Sequence, residues 1–241
     1  MLFSEMISPI VVMLSDITSS TTGIGVGIIS TSYFSLIYAP KNAVLLGLYV
    51  FTLSNMFIIS RFKKHIDTKF LIKFVPLTVP GIIAGTIALS ELEGSTIRFF
   101  FGALLLAIII LTINGTIKIV HAKEKYVMAL FASIIGFASA FMNASSPFMV
   151  LLLLSLGYSK KELVATATAV YFINNLIKLV SFYYVGLASA EMAQMSLYYI
   201  PFIIAGILLG KSLIEKVSAE ALRTAILILL SILAFGLILG Y

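Results

Sequence analysis

The chain has 241 residues, of which 61% are hydrophobic and only 11% charged, with a formal net charge of +6 and no cysteine. A soluble domain of this length has too little interior to hide so much apolar surface, so the composition excludes a soluble fold and places most of the chain in hydrocarbon. Disulfides and thiolate metal sites are excluded with the cysteines, and the basic residues lie in short loops between apolar spans, which is the positive-inside bias of a membrane protein and not a nucleic-acid surface.

The first apolar stretch, beginning near Met6, has no basic leader and no small-residue cleavage pattern after it, so it is expected to be mature structure and not a removable signal. It runs over 7–38, too long for one crossing, and is interrupted by Thr18-Ser19-Ser20-Thr21-Thr22-Gly23-Ile24-Gly25-Val26-Gly27. Hydroxyl side chains offer the backbone competing hydrogen bonds and glycine is costly in a helix, which predicts a break there. Three runs follow that can each cross a core of roughly 30 Å, 42–60, 70–90 and 96–119. The segment 126–157 is again too long, and is interrupted by Asn143-Ala144-Ser145-Ser146-Pro147, where Pro147 lacks a donor. Crossings over 162–187, 191–211 and 219–240 complete the chain.

The two series are related. Leu53-Ser54-Asn55 followed by Pro80-Gly81-Ile82-Ile83-Ala84-Gly85 recurs, about 120 positions later, as Ile173-Asn174-Asn175 followed by Pro201-Phe202-Ile203-Ile204-Ala205-Gly206. Internal duplication in a membrane chain is the signature of a secondary transporter, with halves here at 1–120 and 121–241. Loop charge then sets the topology. Arg61, Lys63, Lys64 and Lys69, then Lys118, Lys123 and Lys125, then Lys211, Lys216 and Arg223 are basic clusters, whereas the connections at Glu91/Glu93 and at Glu191 are acidic or bare. All three clusters fall on the cytoplasmic side only if each broken segment enters and leaves on the same side. The expected architecture is all-α, a polytopic membrane protein of two inverted repeats, each a re-entrant helical hairpin plus three transmembrane helices, with the hairpin tips meeting near mid-membrane. Eight full crossings with parallel repeats is the alternative.

Non-helical backbone at membrane depth persists only where it is buried in protein or lines a polar cavity. Free N–H groups and the positive dipole end at a broken helix make an anion site from uncharged parts. This makes Thr21, Thr22, Gly23, Gly25 and Gly27 in the first tip, and Asn143, Ser145, Ser146 and Pro147 in the second, candidate substrate-binding residues. A flexible kink or a small-residue helix contact is the other reading of these positions.

A charge inside a span costs about 2.5–3.5 kcal/mol on insertion scales, so those that occur call for an explanation. Lys178 shares a helical face with Asn174 and lies beside Asn175, a cation next to two amides as an oxyanion would require; the alternative is a lysine snorkelling outward. Asp16 precedes the first tip, where it could carry a coupling proton, pair with Lys178 or cap the break. Lys73 and Lys211 lie near membrane ends. Tyr171, Tyr183 and Tyr184 read better as packing than as pathway residues, and Thr166-Ala167-Thr168 as helix-to-helix hydrogen bonding. His65 and His121 sit in charged loops, and neither paired metal-ligand spacing nor a nucleophile or phosphate-loop motif occurs. No enzyme, metal or cofactor is expected.

Gly136-Phe137-Ala138-Ser139-Ala140 continuing into Ser146-Pro147-Phe148-Met149-Val150, then Gly157-Tyr158-Ser159-Lys160-Lys161, Ala165-Thr166-Ala167-Thr168, Tyr171-Phe172-Ile173-Asn174-Asn175 and Lys178-Leu179 resemble the second-repeat pattern of the sulfite exporter TauE/SafE proteins, the toluene sulfonate uptake permease superfamily. Gly23, Gly25, Gly27, Lys41-Asn42-Ala43 and Ser54-Asn55 resemble the partner repeat. Asn143-Ala144-Ser145-Ser146 stands where that family often carries a richer glycine run. The resemblance spans essentially the whole chain. It implies export or uptake of a small sulfur-containing anion, such as sulfite, a sulfonate or sulfoacetate, across a prokaryotic cytoplasmic membrane, and it adds Thr166 to the candidate site. The expected protein is thus a transporter working by alternating access, with the lipid bilayer, a small anion and a candidate coupling proton as partners. A passive anion channel on the same scaffold and a non-transporting interaction subunit are the alternatives.

Overall fold

The computed structural model describes residues 2–24, 26–113 and 124–214, with 224, 227–228, 231–232 and 234–237, and all regular structure among them is helical. Helix α1 (Leu2–Thr22) is followed by a short π-helical stretch, Val26–Ser30, and by α2 (Thr31–Ile37). Helices α3 (Pro40–Phe62), α4 (Thr68–Glu91) and α5 (Gly94–Ile113) come next. The second series is α6 (Lys125–Met142), α7 (Ser146–Ser155), α8 (Lys160–Tyr184), α9 (Ala190–Leu197) and α10 (Ile200–Ile214).

Local chemistry sets many of these limits. Pro40 opens α3 with its φ already helical and no N–H to orphan. Asp67 caps α4 by accepting the Phe70 N–H at 3.0 Å, and Ser159 with Glu162 forms a capping box at the start of α8. By length and composition α3, α4, α6 and α8 can each cross a bilayer. The chain is a multi-pass membrane protein. The run 191–211, expected as a crossing, is bent by 50° between α9 and α10. Helix α5 is described to Ile113, so the end of the expected span 96–119 lies outside the described residues, as do Lys118, His121, Lys123, Lys216, Arg223 and most of 219–240.

Both expected breaks are present, the first confined to the glycine part of the expected run. Thr18 to Thr22 remain helical because their hydroxyls turn back on their own helix: Thr18 donates to the Ser15 carbonyl, Ser20 to Ile17, and Thr21 and Thr22 to Thr18. Helix α1 ends at Gly23, whose φ of +76° is left-handed. Helix α6 ends in the same way, at Asn143 with φ +53°. Each left-handed residue returns its N–H to a serine four positions back, Gly23 to Ser19 at 2.9 Å and Asn143 to Ser139 at 3.0 Å. Pro147 lies past the second break, in the first turn of α7, where it starts a helix and does not interrupt one.

The two ends of each broken segment lie close to a common neighbour. Lys125 and Met128 at the start of α6 line one cavity with Asp67 and with Tyr158, just beyond α7; Tyr158 also donates to the Asp67 carboxylate at 2.7 Å. Likewise Ser8, early in α1, hydrogen-bonds the Tyr199 hydroxyl at 3.0 Å, and Phe34 of α2 packs on the Tyr199 ring at 5.6 Å.

Two helix pairs pack in the same way. Helix α4 packs on α6 and α10 on α1, each time through glycines that bring backbones into contact. A Cβ at Gly136 would fall on the Thr78 carbonyl oxygen, and one at Gly81 on that of Ser133. A Cβ at Gly206 would lie 2.5 Å from the Met13 carbonyl oxygen. Without a hydrophobic drive in lipid, close backbone approach of this kind is what holds helices together. The repeated Pro-Xaa-Ile-Ile-Ala-Gly sequence is therefore a packing motif, used by α4 against α6 and by α10 against α1.

Candidate functional site

The two breaks come together against the middle of α8. Gly27, in the π-helical stretch, has no room for a side chain because the Asn143 carbonyl and the Phe51 ring lie against its α-carbon. Tyr171 spans both tips, its hydroxyl 3.5 Å from the Gly23 carbonyl oxygen and 3.3 Å from that of Ser146. The tips overlap along α8 and do not meet end to end: Gly23 packs on Leu163 near the helix start, while Asn143 is held from Lys178 in the second half.

Lys178 is fully buried, which rules out snorkelling. Its ammonium donates to Asn143 Oδ1 at 2.7 Å and to the Ser139 carbonyl at 3.0 Å. Both acceptors belong to the C-terminal end of α6, where the dipole favours a cation; the Ser139 carbonyl is shared with the Asn143 N–H. The ammonium has three N–H groups, so one remains. Asn143 uses its own amide to tie the tip down, donating to Thr31 Oγ1 at 3.0 Å and to the Val44 carbonyl at 2.8 Å.

Around this latch lies an unusual concentration of buried polar atoms without partners. They comprise the hydroxyls of Ser139, Ser145 and Ser146, both polar atoms of the Asn175 amide, and Asn174 Nδ2; Asn174 Oδ1 accepts from Thr78 at 2.9 Å. A second group sits on the first half: both oxygens of Asp16, the Ser54 hydroxyl and both polar atoms of Asn55. Asp16 is fully buried and faces the Ser54 hydroxyl of α3. It does not pair with Lys178, whose bonds go elsewhere, and it does not cap the break. Leaving such groups unpaired costs about 1–3 kcal/mol each, so their clustering is a concentrated cost to the protein alone.

The expected site residues separate accordingly. Asn143, Ser145, Ser146, Asn174, Asn175 and Lys178 belong to one neighbourhood. Thr21 and Thr22 have spent their hydroxyl protons on helical carbonyls, and Gly23 and Gly27 serve close approach; Gly25 lies outside the described residues. Thr166 is occupied at the loop end of α8, accepting the Asp67 N–H at 3.0 Å. Tyr171 is more than packing, whereas Tyr183 and Tyr184 are exposed. Ser54 and Asn55 were legible as repeat counterparts of Asn174 and Asn175, and that relation was the signal for adding them; Thr31, Thr78 and Ser139 carried no signal of their own.

Among known proteins, the family described as Sulfite exporter TauE/SafE matches residues 9–237. No curated protein and no solved structure matches the chain.

Proposed function

This chain belongs to the sulfite exporter TauE/SafE family, a membrane transporter family for sulfite or related anions, and on that footing we propose that it is a secondary transporter of a small sulfur oxyanion or sulfonate, working by alternating access in the cytoplasmic membrane. The carrying observation is the cluster at the second tip. Lys178, fixed on the end of α6, keeps one N–H for an anion. Ser145 and Ser146 present free hydroxyls at the N-terminus of α7, where the first amides lack helical partners and the dipole is positive. Asn174 and Asn175 add amide donors from α8. One buried cation with neutral donors suits a compact oxyanion, because each donor matches an oxygen and the charge is met once.

The halves are proposed as inverted repeats. In support, the left-handed ends at Gly23 and Asn143 are equivalent, each first arm packs on the other half's glycine motif, and Phe51 contacts its own counterpart, Tyr171, with ring centroids 5.5 Å apart. On this reading the two halves have diverged into unlike half-sites. Lys178 faces the second tip where the first half has Ile58, and Asp16 lies by the first tip where the second half has Gly136. The proposed division assigns anion binding to the Lys178 side and a coupling proton to Asp16, whose unpartnered carboxyl faces Ser54.

Reconstitution into proteoliposomes tests the reading. Saturable sulfite or sulfonate flux with counterflow is the expected result; large conductance without exchange would identify a channel instead, and absence of both flux and ligand-induced stabilisation would leave a non-transporting subunit.

A further inference from the structure

We propose that the cavity between the first turns of α4 and α6 binds an anionic phospholipid, with the headgroup phosphate held by Lys69, Lys73 and Lys125. The cavity encloses about 640 Å³ and has two kinds of wall. Lys69 and Lys73 stand one helical turn apart on α4, so both ammonium groups serve the same face, and Lys125 opens α6 opposite them. Phe70, Phe74, Leu77 and Met128 form the apolar remainder. A free anion would use the cations alone; a lipid uses both surfaces, phosphate at the lysines and acyl chain along α4.

Asp67 also borders the cavity, and its charge must be accounted for. Its carboxylate accepts the Phe70 N–H at 3.0 Å and the Tyr158 hydroxyl at 2.7 Å, so both oxygens are engaged and three cations face one satisfied carboxylate. The cavity lies at the basic-loop end of the bundle. Basic pockets between transmembrane helices at that end are suited to anionic headgroups, since each cation near the surface adds to the attraction. A lipid seated here would tie α4 to α6 at the mouth of the second hairpin.

The experiment uses the full chain in neutral detergent, titrated with phosphatidylglycerol or phosphatidylcholine and followed by native mass spectrometry and thermal unfolding. Phosphatidylglycerol is expected to bind and raise the unfolding temperature, and phosphatidylcholine to do neither. Each of Lys69→Gln, Lys73→Gln and Lys125→Gln should weaken phosphatidylglycerol binding by about fivefold and the triple variant by about a hundredfold. These side chains are exposed, so the lipid-free unfolding temperature should stay unchanged, which separates lost binding from lost folding. Equal effects of the two lipids, or full binding by the triple variant, would overturn the proposal. So would inorganic phosphate reproducing the stabilisation, because the site would then be one for a free anion.

Discussion

Lys178 of α8 reaches across the bundle to Asn143 at the end of α6, Nζ to Oδ1 at 2.7 Å, although the two residues are 35 positions apart. The buried lysine seated at this tip is therefore also the tip's fastening, so that in the proposed site binding and architecture are coupled through one side chain.

Replacing that lysine separates the two roles. Lys178→Met keeps the stem's volume and removes the charge, so sulfite-induced stabilisation should vanish. It also leaves Asn143 Oδ1 unpaired, at about 1–3 kcal/mol, while the Ser139 carbonyl keeps the Asn143 N–H, so the ligand-free protein should unfold at a lower temperature. Ser146→Ala should weaken binding only mildly, since one neutral hydrogen bond contributes roughly 0.5–1.5 kcal/mol. Thermal-shift titration checks both. Unchanged affinity in Lys178→Met would remove Lys178 from the anion's contacts and leave the tip backbone and hydroxyls.

On the first half, Asp16→Asn should abolish uptake driven by an imposed proton gradient while sparing anion counterflow across the same vesicles. Loss of both activities together, in a variant with normal unfolding temperature, would place Asp16 in the anion's path and not in coupling.

The glycine seams predict a steep steric response. Gly136→Ala puts a methyl against the Thr78 carbonyl and must push α4 from α6, a cost of about 1–3 kcal/mol from overpacking. Gly94→Ala is the control, because its Cβ would lie 3.4 Å from Pro40 in ordinary contact. Differential unfolding temperatures of the two variants test the seam; equal values would mean that the helices yield freely.

Topology is open to labelling, since the chain has no native cysteine. Lys41→Cys should react with an impermeant reagent from outside and Lys160→Cys from the cytoplasm. Reaction of the first from the cytoplasm would refute the re-entrant arrangement.

A pH dependence follows at the loop end. The Phe70 N–H, then the Tyr158 hydroxyl, hold the Asp67 carboxyl below its ordinary range, with Lys69 helping in the same direction. Because the folded form favours the ionised group, this contribution is present above the unfolded carboxylate range and is lost as pH falls through the lower, folded value. Unfolding temperature measured from pH 7 downward should therefore decline in acid. Tyr158→Phe should flatten part of that decline, and an identical profile would show that the Tyr158 bond carries none of it.

What the sequence determined by itself was the solvent and the helical class. Apolar runs of crossing length, basic loops and a motif recurring after about 120 residues are local or periodic features, and they sufficed for an all-helical, multi-pass chain with two broken segments. The places of the breaks were legible because glycine, and asparagine next to serine and proline, have specific backbone preferences. Partnership was not legible. Whether Thr21 and Thr22 face a ligand or their own carbonyls, whether Lys178 snorkels or caps α6, and that Pro-Xaa-Ile-Ile-Ala-Gly is a seam all depend on which helix lies alongside. A hydroxyl or an ammonium is satisfied by the nearest acceptor, and for residues more than a turn apart only the tertiary packing decides which acceptor that is.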